Sequence, residues 1–180
     1  MGGTERGISR RRIFGRYILM IFVTVGTQDK SFERLIKAVE NAVKAGTIKD
    51  EVIVQAGATE YKSEVISVLN YVGFEEFNNL LKKADIIITH GGVGSILNAV
   101  KLGKKVIAVP RLKKYDEHIN DHQLQVIEKM TKEGYILSTE DENKIADKVK
   151  EIANFVPKVY TSNTEKFVTN FKKLLDETIK

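Results

Sequence analysis

A parallel β-sheet covered by helices on both faces is the fold class that this 180-residue sequence predicts. Three observations carry the prediction. Short apolar, β-branched runs alternate with segments of helical periodicity along the chain, the connections between them are short, and runs such as "DIIIT" lack the polar alternation of a half-exposed strand.

Taken in order, "MIFVTVG" (20–26) is a continuous apolar run closed by a glycine, as expected of a buried parallel strand. Asp29 or Ser31 is placed to cap the helix that follows, in which Phe32, Leu35, Ile36, Val39, Ala42 and Val43 recur at helical spacing until Gly46. "EVIVQAG" (51–57) is the second strand. The stretch 58–73 carries the weakest signal and reads as a connection with a strand near "VLNYVG". "FEEFNNLLKKA" reads as a short helix, "DIIIT" as a buried strand and "SILNAVKL", stopped by Gly103, as another helix. "KVIAVP" is a strand again. Leu124, Val126, Ile127 and Met130 mark a helix ending at Gly134, and "YILS" is the last strand. Helices around 142–154 and 163–178, separated by Pro157, complete the pattern, which contains no internal repeat and no low-complexity segment.

Composition narrows the class. With 42% hydrophobic and 29% charged residues the chain reads as a globular domain with a real core. The longest apolar run, Ile18 to Val25, falls far short of the roughly 18 residues that a membrane helix needs. Cysteine is absent, which excludes disulfides and thiolate metal sites and makes the cytoplasm the default location. The net charge of +5 comes mostly from residues 1–19, with Arg6, Arg10, Arg11, Arg12 and Arg16 against Glu5 alone. That segment reads as a basic extension: an upstream start, a leader or a disordered tail. Residues 20–180 read as one domain. Their charge is close to neutral, with Arg34 and Arg111 as the only arginines among many lysines, and no basic–aromatic interleaving points to nucleic acid.

Two constellations carry chemistry. The first is "HGGVGS" (90–95), between a strand and a helix and therefore on the ligand edge of such a sheet. Glycines admit a ligand close to the backbone, the helix N-terminus offers unpaired N–H groups, and Ser95 adds a hydroxyl, which together make a metal-free diphosphate site. The competing reading is that the glycines only permit tight strand–helix packing. A dinucleotide fingerprint is excluded because Leu97 stands where a third glycine is required, and neither a Walker loop nor a G-x-S-x-G elbow is present.

The second is "YDEHINDHQ" (115–123), after the next strand. His118 and His122 sit four apart, and H-x-x-D-H resembles an inverted zinc-protease motif with Asp for Glu. The shorter carboxylate and the missing third ligand argue against zinc, and the bland alternative is a solvated polar loop. Placed one strand from a diphosphate cradle, however, His118, Asn120, Asp121 and Gln123 are side chains that recognise sugar hydroxyls. There is no D-x-D motif, consistent with diphosphate binding that uses no metal; no cofactor is expected.

With these motifs in view, the sequence resembles the C-terminal, donor-binding half of glycosyltransferase family 28. The resemblance covers about residues 20–178 and rests on "FVTVGTQDKSFERLI", "LLKKADIIITHGGVGSILNAV" and "VIAVPRLKKYDEHINDHQ", in order and at suitable intervals. It implies a Rossmann-like sheet forming one half of a GT-B enzyme. It puts Gly91, Gly92, Gly94 and Ser95 around a UDP-sugar diphosphate, Gln123 with Asp121 and His122 on the sugar, and the backbone near Phe74 on the uracil. Gly26 and Thr27, at the first strand end, would face the cleft. The family often has Glu three residues after Ser95, for the ribose; here Asn98 stands there. Because one α/β unit is half of a GT-B enzyme, the resemblance also implies a membrane-associated partner that supplies the acceptor half, and a polyprenyl-linked sugar acceptor. His118 is the local candidate for the general base that deprotonates the acceptor hydroxyl. The alternative is a nucleotide-sugar-binding scaffold without turnover.

Overall fold

The computed structural model describes residues 12–13, 16–17, 19–119 and 122–161. Two paired two-residue strands, β1 (Arg12–Ile13) and β2 (Arg16–Tyr17), fall in the segment expected to be a disordered tail. The main body is a six-stranded sheet of β3 (Met20–Thr24), β4 (Glu51–Gln55), β5 (Ser67–Leu69), β6 (Ile86–Thr89), β7 (Lys105–Ala108) and β8 (Leu137–Ser138). Every pairing in it is parallel, in the order β5-β4-β3-β6-β7-β8. The helices are α1 (Glu33–Lys44), α2 (Phe74–Lys83), α3 (Val93–Lys101), α4 (His122–Lys132) and α5 (Ile145–Asn154). The helix expected at 163–178 lies outside the described residues.

Both faces of the sheet are buried, which is why its strands read as unbroken apolar runs. On one face Ile21, Val23, Val54, Ile88 and Ile107 pack against Leu35, Ile36 and Val39 of α1 and Ile145, Val149 and Ile152 of α5. On the other, Phe22, Ile87 and Val106 pack against Leu81 of α2, Ile96, Ala99 and Val100 of α3, and Ile127 of α4. Each fully buried side chain of this kind contributes up to about 1.5–3 kcal/mol before conformational entropy is set against it. The alternation of Ile21, Phe22 and Val23 between the two clusters is the pleat itself.

Two expectations are corrected. The start of α1 is not capped by Asp29 or Ser31 in the usual sense: Phe32 occupies the cap position without a side-chain cap, and Thr59 Oγ1 accepts the Phe32 N–H at 2.8 Å. Ser31 Oγ accepts only the Glu33 N–H, at 3.3 Å. The preceding loop is held by its carbonyls instead, as described below. The strand expected near "VLNYVG" sits earlier, at β5, because Asn70 and Tyr71 already turn toward α2.

The strand order positions the site. From central β3 the chain runs outward to β4 and β5, then returns to the other side of β3 for β6, β7 and β8. The loops after β3 and β6 therefore diverge to opposite faces and leave a crevice at the carboxyl edge between them.

Candidate functional site

A cleft of about 390 Å³ occupies that crevice. One wall is the loop after β3, with Thr24, Gly26 and Thr27; the other is the loop after β6 and the start of α3, with His90, Gly92, Gly94 and Ser95. Its apolar end is formed by Tyr71, Val72, Phe74 and Phe77, and Phe74 is 83% exposed at the first position of α2. Gln55 braces the first wall: its Oε1 accepts the Thr24 hydroxyl at 2.7 Å and its Nε2 donates to the Gly26 carbonyl at 3.0 Å.

The glycines of the turn divide into two kinds. A Cβ on Gly92 would lie 2.5 Å from His90 Nε2, and one on Gly26 would lie 2.6 Å from His90 Cε1, so both residues are bare to make room for the imidazole between them. Gly91 has a φ of +87°, and a Cβ there would strike Ile127 of α4. For these three the packing reading holds. Gly94 differs: a Cβ there would meet nothing within 4 Å, and the residue borders the cleft on the first turn of α3. No packing demand explains a glycine at that place.

His90 is half-buried, and its Nδ1 lies 3.4 Å from the Thr24 carbonyl. A carbonyl only accepts, so the tautomer with its hydrogen on Nδ1 satisfies that contact. Burial, and then the positive charge of Arg111, push the imidazole pKa down to about 4, against a smaller upward pull from the Thr24 carbonyl. The ring is therefore neutral at physiological pH.

The loop after β7 is built from buried charge. Arg34 of α1 donates from Nε and Nη2 to the two carboxylate oxygens of Glu117 at 2.9 and 2.8 Å, and from Nη1 to Glu142 at 2.8 Å. Its guanidinium also lies over the rings of Phe32 and Tyr115. Burial works against that charge, but the hydrogen bonds and charges of Glu117 and Glu142 outweigh it and raise the Arg34 pKa. Arg111, with no exposed surface, stacks on Phe32 and donates to the carbonyls of Val25, Lys30, Ser31 and Glu117. The loop after β3 is thus tied to the loop after β7, and Lys30 paired with Asp116 adds a second tie at the surface.

Of the residues selected from sequence, Gly26, Thr27, Phe74, Gly92, Gly94 and Ser95 line the cleft together. Gly91 stands behind its wall. Asn98 is exposed one turn further along α3 and does not line the cleft. Gln123 Oε1 accepts the Arg111 N–H at 3.2 Å, which ties the start of α4 to the loop after β7. His118 is half-buried on the loop after β7 and is near enough to His90 for its charge to bear on that ring, but it is not among the lining residues. His122 opens α4; Asn120 and Asp121 lie outside the described residues. Among the described residues no group of three or more acidic or histidine side chains is arranged to hold a metal.

Sequence reasoning passed over Gln55, Tyr71, Phe77, His90 and Arg111. Signals for some of them exist: Gln55 is a lone polar residue closing an apolar strand, and arginine in a body otherwise supplied with lysine marks places where a planar fork is needed.

An all-parallel sheet in this order, with its crevice at the switch point and a helix N-terminus on one lip, defines a Rossmann-like α/β unit. More particularly, the Glycosyltransferase family 28 C-terminal domain matches residues 20–179, and the chain belongs to that family. It is 32% identical over 134 residues to the "UDP-N-acetylglucosamine transferase subunit ALG13" of Candida glabrata, a match covering 71% of this chain. The match covers 62% of that relative, so the chain spans less than two thirds of its length. Among solved structures the fold is similar to Acinetobacter baumannii MurG, with a TM-score of 0.59, 15% identity, and coverage of 86% of this chain and 49% of that one. It is also similar to the NMR solution structure of ALG13, with a TM-score of 0.54, 19% identity, and coverage of 83% and 93%. The fold is that of one half of a GT-B glycosyltransferase, as the sequence predicts.

Proposed function

We propose that this chain is the donor-binding, catalytic subunit of a two-part inverting glycosyltransferase. It moves a hexose or N-acetylhexosamine, GlcNAc before galactose, from a UDP-sugar to a polyprenyl-linked acceptor in glycan or polysaccharide assembly. The observation that carries the reading is Gly94: a glycine on the first turn of α3 that borders the cleft and that no packing requires. Bare backbone beside a helix N-terminus suits a diphosphate, and the aromatic end of the cleft at Tyr71, Phe74 and Phe77 suits a flat base. The family match and the name of the Candida glabrata relative supply the sugar nucleotide.

In this reading Gly92, Gly94 and Ser95 hold the diphosphate with Gly26 and Thr27 opposite, the sugar is assigned to Asn120, Asp121, His122 and Gln123, and the ribose to Asn98, one turn along α3 from the lining. The acceptor oxygen attacks the anomeric carbon and the bond to the diphosphate oxygen breaks. UDP leaves with the electron pair, its charge stabilised at the α3 N-terminus. His118 takes the acceptor proton. A membrane-associated partner supplies the acceptor half and recruits the chain from the cytoplasm. No described helix is long and apolar enough to cross a membrane.

A second reading, a nucleotide-sugar-binding scaffold without turnover, is favoured by the absence of Asn98 and His118 from the residues that line the cleft. Reconstitution with the membrane partner separates the two. The expected result is sugar transfer to a polyprenyl-linked acceptor by the pair alone, lost in His118→Ala and Gln123→Ala. UDP binding without transfer by the pair establishes the scaffold, and absence of UDP binding sinks both readings.

A further inference from the structure

Arg111 is a charge without a direct counter-ion. Its side chain has no exposed surface, and each of its hydrogen bonds goes to a main-chain carbonyl: Val25 at 2.8 Å, Lys30 at 2.8 Å, Ser31 at 3.1 Å and Glu117 at 3.3 Å. Nε has no partner at all. The nearby Glu117 carboxylate is committed elsewhere, to the fork of Arg34 and the Leu112 N–H. Among the described residues no carboxylate hydrogen-bonds this guanidinium.

Burying a lone cation costs several kcal/mol unless something compensates it. Carbonyl dipoles hold the ion in place and the charges of Glu117 and Asp29 offset it without a hydrogen bond, and the field that remains acts over distance in a low-dielectric interior. The side chain does not line the cleft but is bonded to the main chain of its wall. It grips the carbonyl of Val25, whose neighbour Gly26 forms one wall, and its own N–H holds Gln123, whose Oε1 lies 3.7 Å from the position of a Cβ on Gly91. Its field reaches the lining, since it disfavours a proton on His90.

We infer that Arg111 is the fixed positive charge that attracts the phosphates of the bound ligand, acting from behind the wall of the cleft rather than by contact. The phosphates would add to the charges of Glu117 and Asp29, whose carboxylates act on the guanidinium without bonding to it. The inference rests on the reading of the cleft as a nucleoside diphosphate site, and it makes Arg111 a positioning residue for the anion rather than a catalytic one. It also gives the phosphate-binding lip a charge that neither glycine nor serine provides.

The test is a ladder of uridine, UMP and UDP titrated against the wild-type chain, Arg111→Lys and Arg111→Gln. In the wild type, affinity should rise with each phosphate. In R111Q the UDP affinity should fall by about tenfold or more while uridine stays within about twofold, flattening the ladder. R111K keeps the charge without the fork and should keep most of the rise, even where its melting temperature drops. A role confined to tying the two loops together predicts the reverse: both variants lose stability, and the UDP-to-uridine ratio stays that of the wild type. That unchanged ratio, or an R111K ladder as flat as that of R111Q, overturns the inference. A wild-type ladder with no rise overturns the diphosphate reading itself. Should the variants fail to fold, the Arg111 Nε–Hε resonance of the wild-type protein decides: it shifts on saturation with UDP and not with uridine, and an unmoved resonance counts against the charge.

Discussion

The loops after β6 and β7 lie side by side on the same sheet edge and are built in opposite ways. Residues 90–95 take their shape from missing side chains, with Gly26, Gly91 and Gly92 bare so that His90 and Ile127 fit. Residues 111–117 take theirs from buried polar atoms, with the guanidinium of Arg34 held by Glu117 and Glu142 and that of Arg111 by main-chain carbonyls. The first loop is fixed where an added Cβ on Gly26 or Gly92 would strike the His90 ring, or on Gly91 would strike Ile127, and is open at Gly94. The second is stiff because moving it would strand charge away from water. A binding edge gains from both: one lip admits a ligand to the backbone and the other sets the electrostatic field.

The difference can be broken most forcefully on the charged side. Glu117→Ala removes both carboxylate acceptors of the Arg34 fork and the acceptor of the Leu112 N–H, leaving a half-buried cation with Glu142 and the Pro110 carbonyl. A loss of about 3–5 kcal/mol in urea unfolding is expected. A loss within 1 kcal/mol would mean that the loop does not depend on the pair.

His90 sharpens the contrast by pH. Its pKa of about 4 in the fold lies below the ordinary 6.5, so between those values the unfolded chain binds a proton that the native state refuses. Its contribution to stability is complete above pH 6.5 and falls as the pH drops toward 4, by up to about 1.4 kcal/mol per pH unit. Comparing unfolding at pH 7, 6 and 5 with the same series for His90→Gln isolates the effect, since carboxylates titrate alike in both. Parallel curves would show that the ring is not held neutral.

The smallest effects separate the glycines. Gly92→Ala forces a methyl group onto the His90 ring and should cost about 1–2 kcal/mol. Gly94→Ala meets open space within a helix and should add up to about 1 kcal/mol of stability. Its UDP affinity should nevertheless fall. A Gly94→Ala chain that is both more stable and equally good at binding UDP would remove the glycine from the ligand site.

Much of this was legible in the sequence, and the failures have physical causes. Strands such as "IIIT" are apolar throughout because both faces of the sheet are covered, so their number and order along the chain could be read directly. The start of α3 falls at Val93 rather than Ser95, so that one residue of poor helix propensity, Gly94, stands in the first turn, where propensity alone would begin the helix after it. The glycine turn was legible as part of the ligand edge, where it borders the cleft, but not which of its glycines serve packing, since that depends on where the His90 ring and Ile127 go. Arg34 and Arg111 stood out in composition alone. Their partners lie 76 to 108 positions away for Arg34 and up to 86 for Arg111, and no local pattern announces pairings of that range.

The outermost strands of the sheet have a consequence for assembly. β5 offers three residues and β8 only two, so neither edge presents a useful length of unpaired main chain to another molecule. Strand addition, and the sticky growth that goes with it, is closed off at both ends. Among the described residues, the surfaces left for a lasting complex are the loops and helices, where recognition depends on shape and charge rather than on a shared ladder of amides.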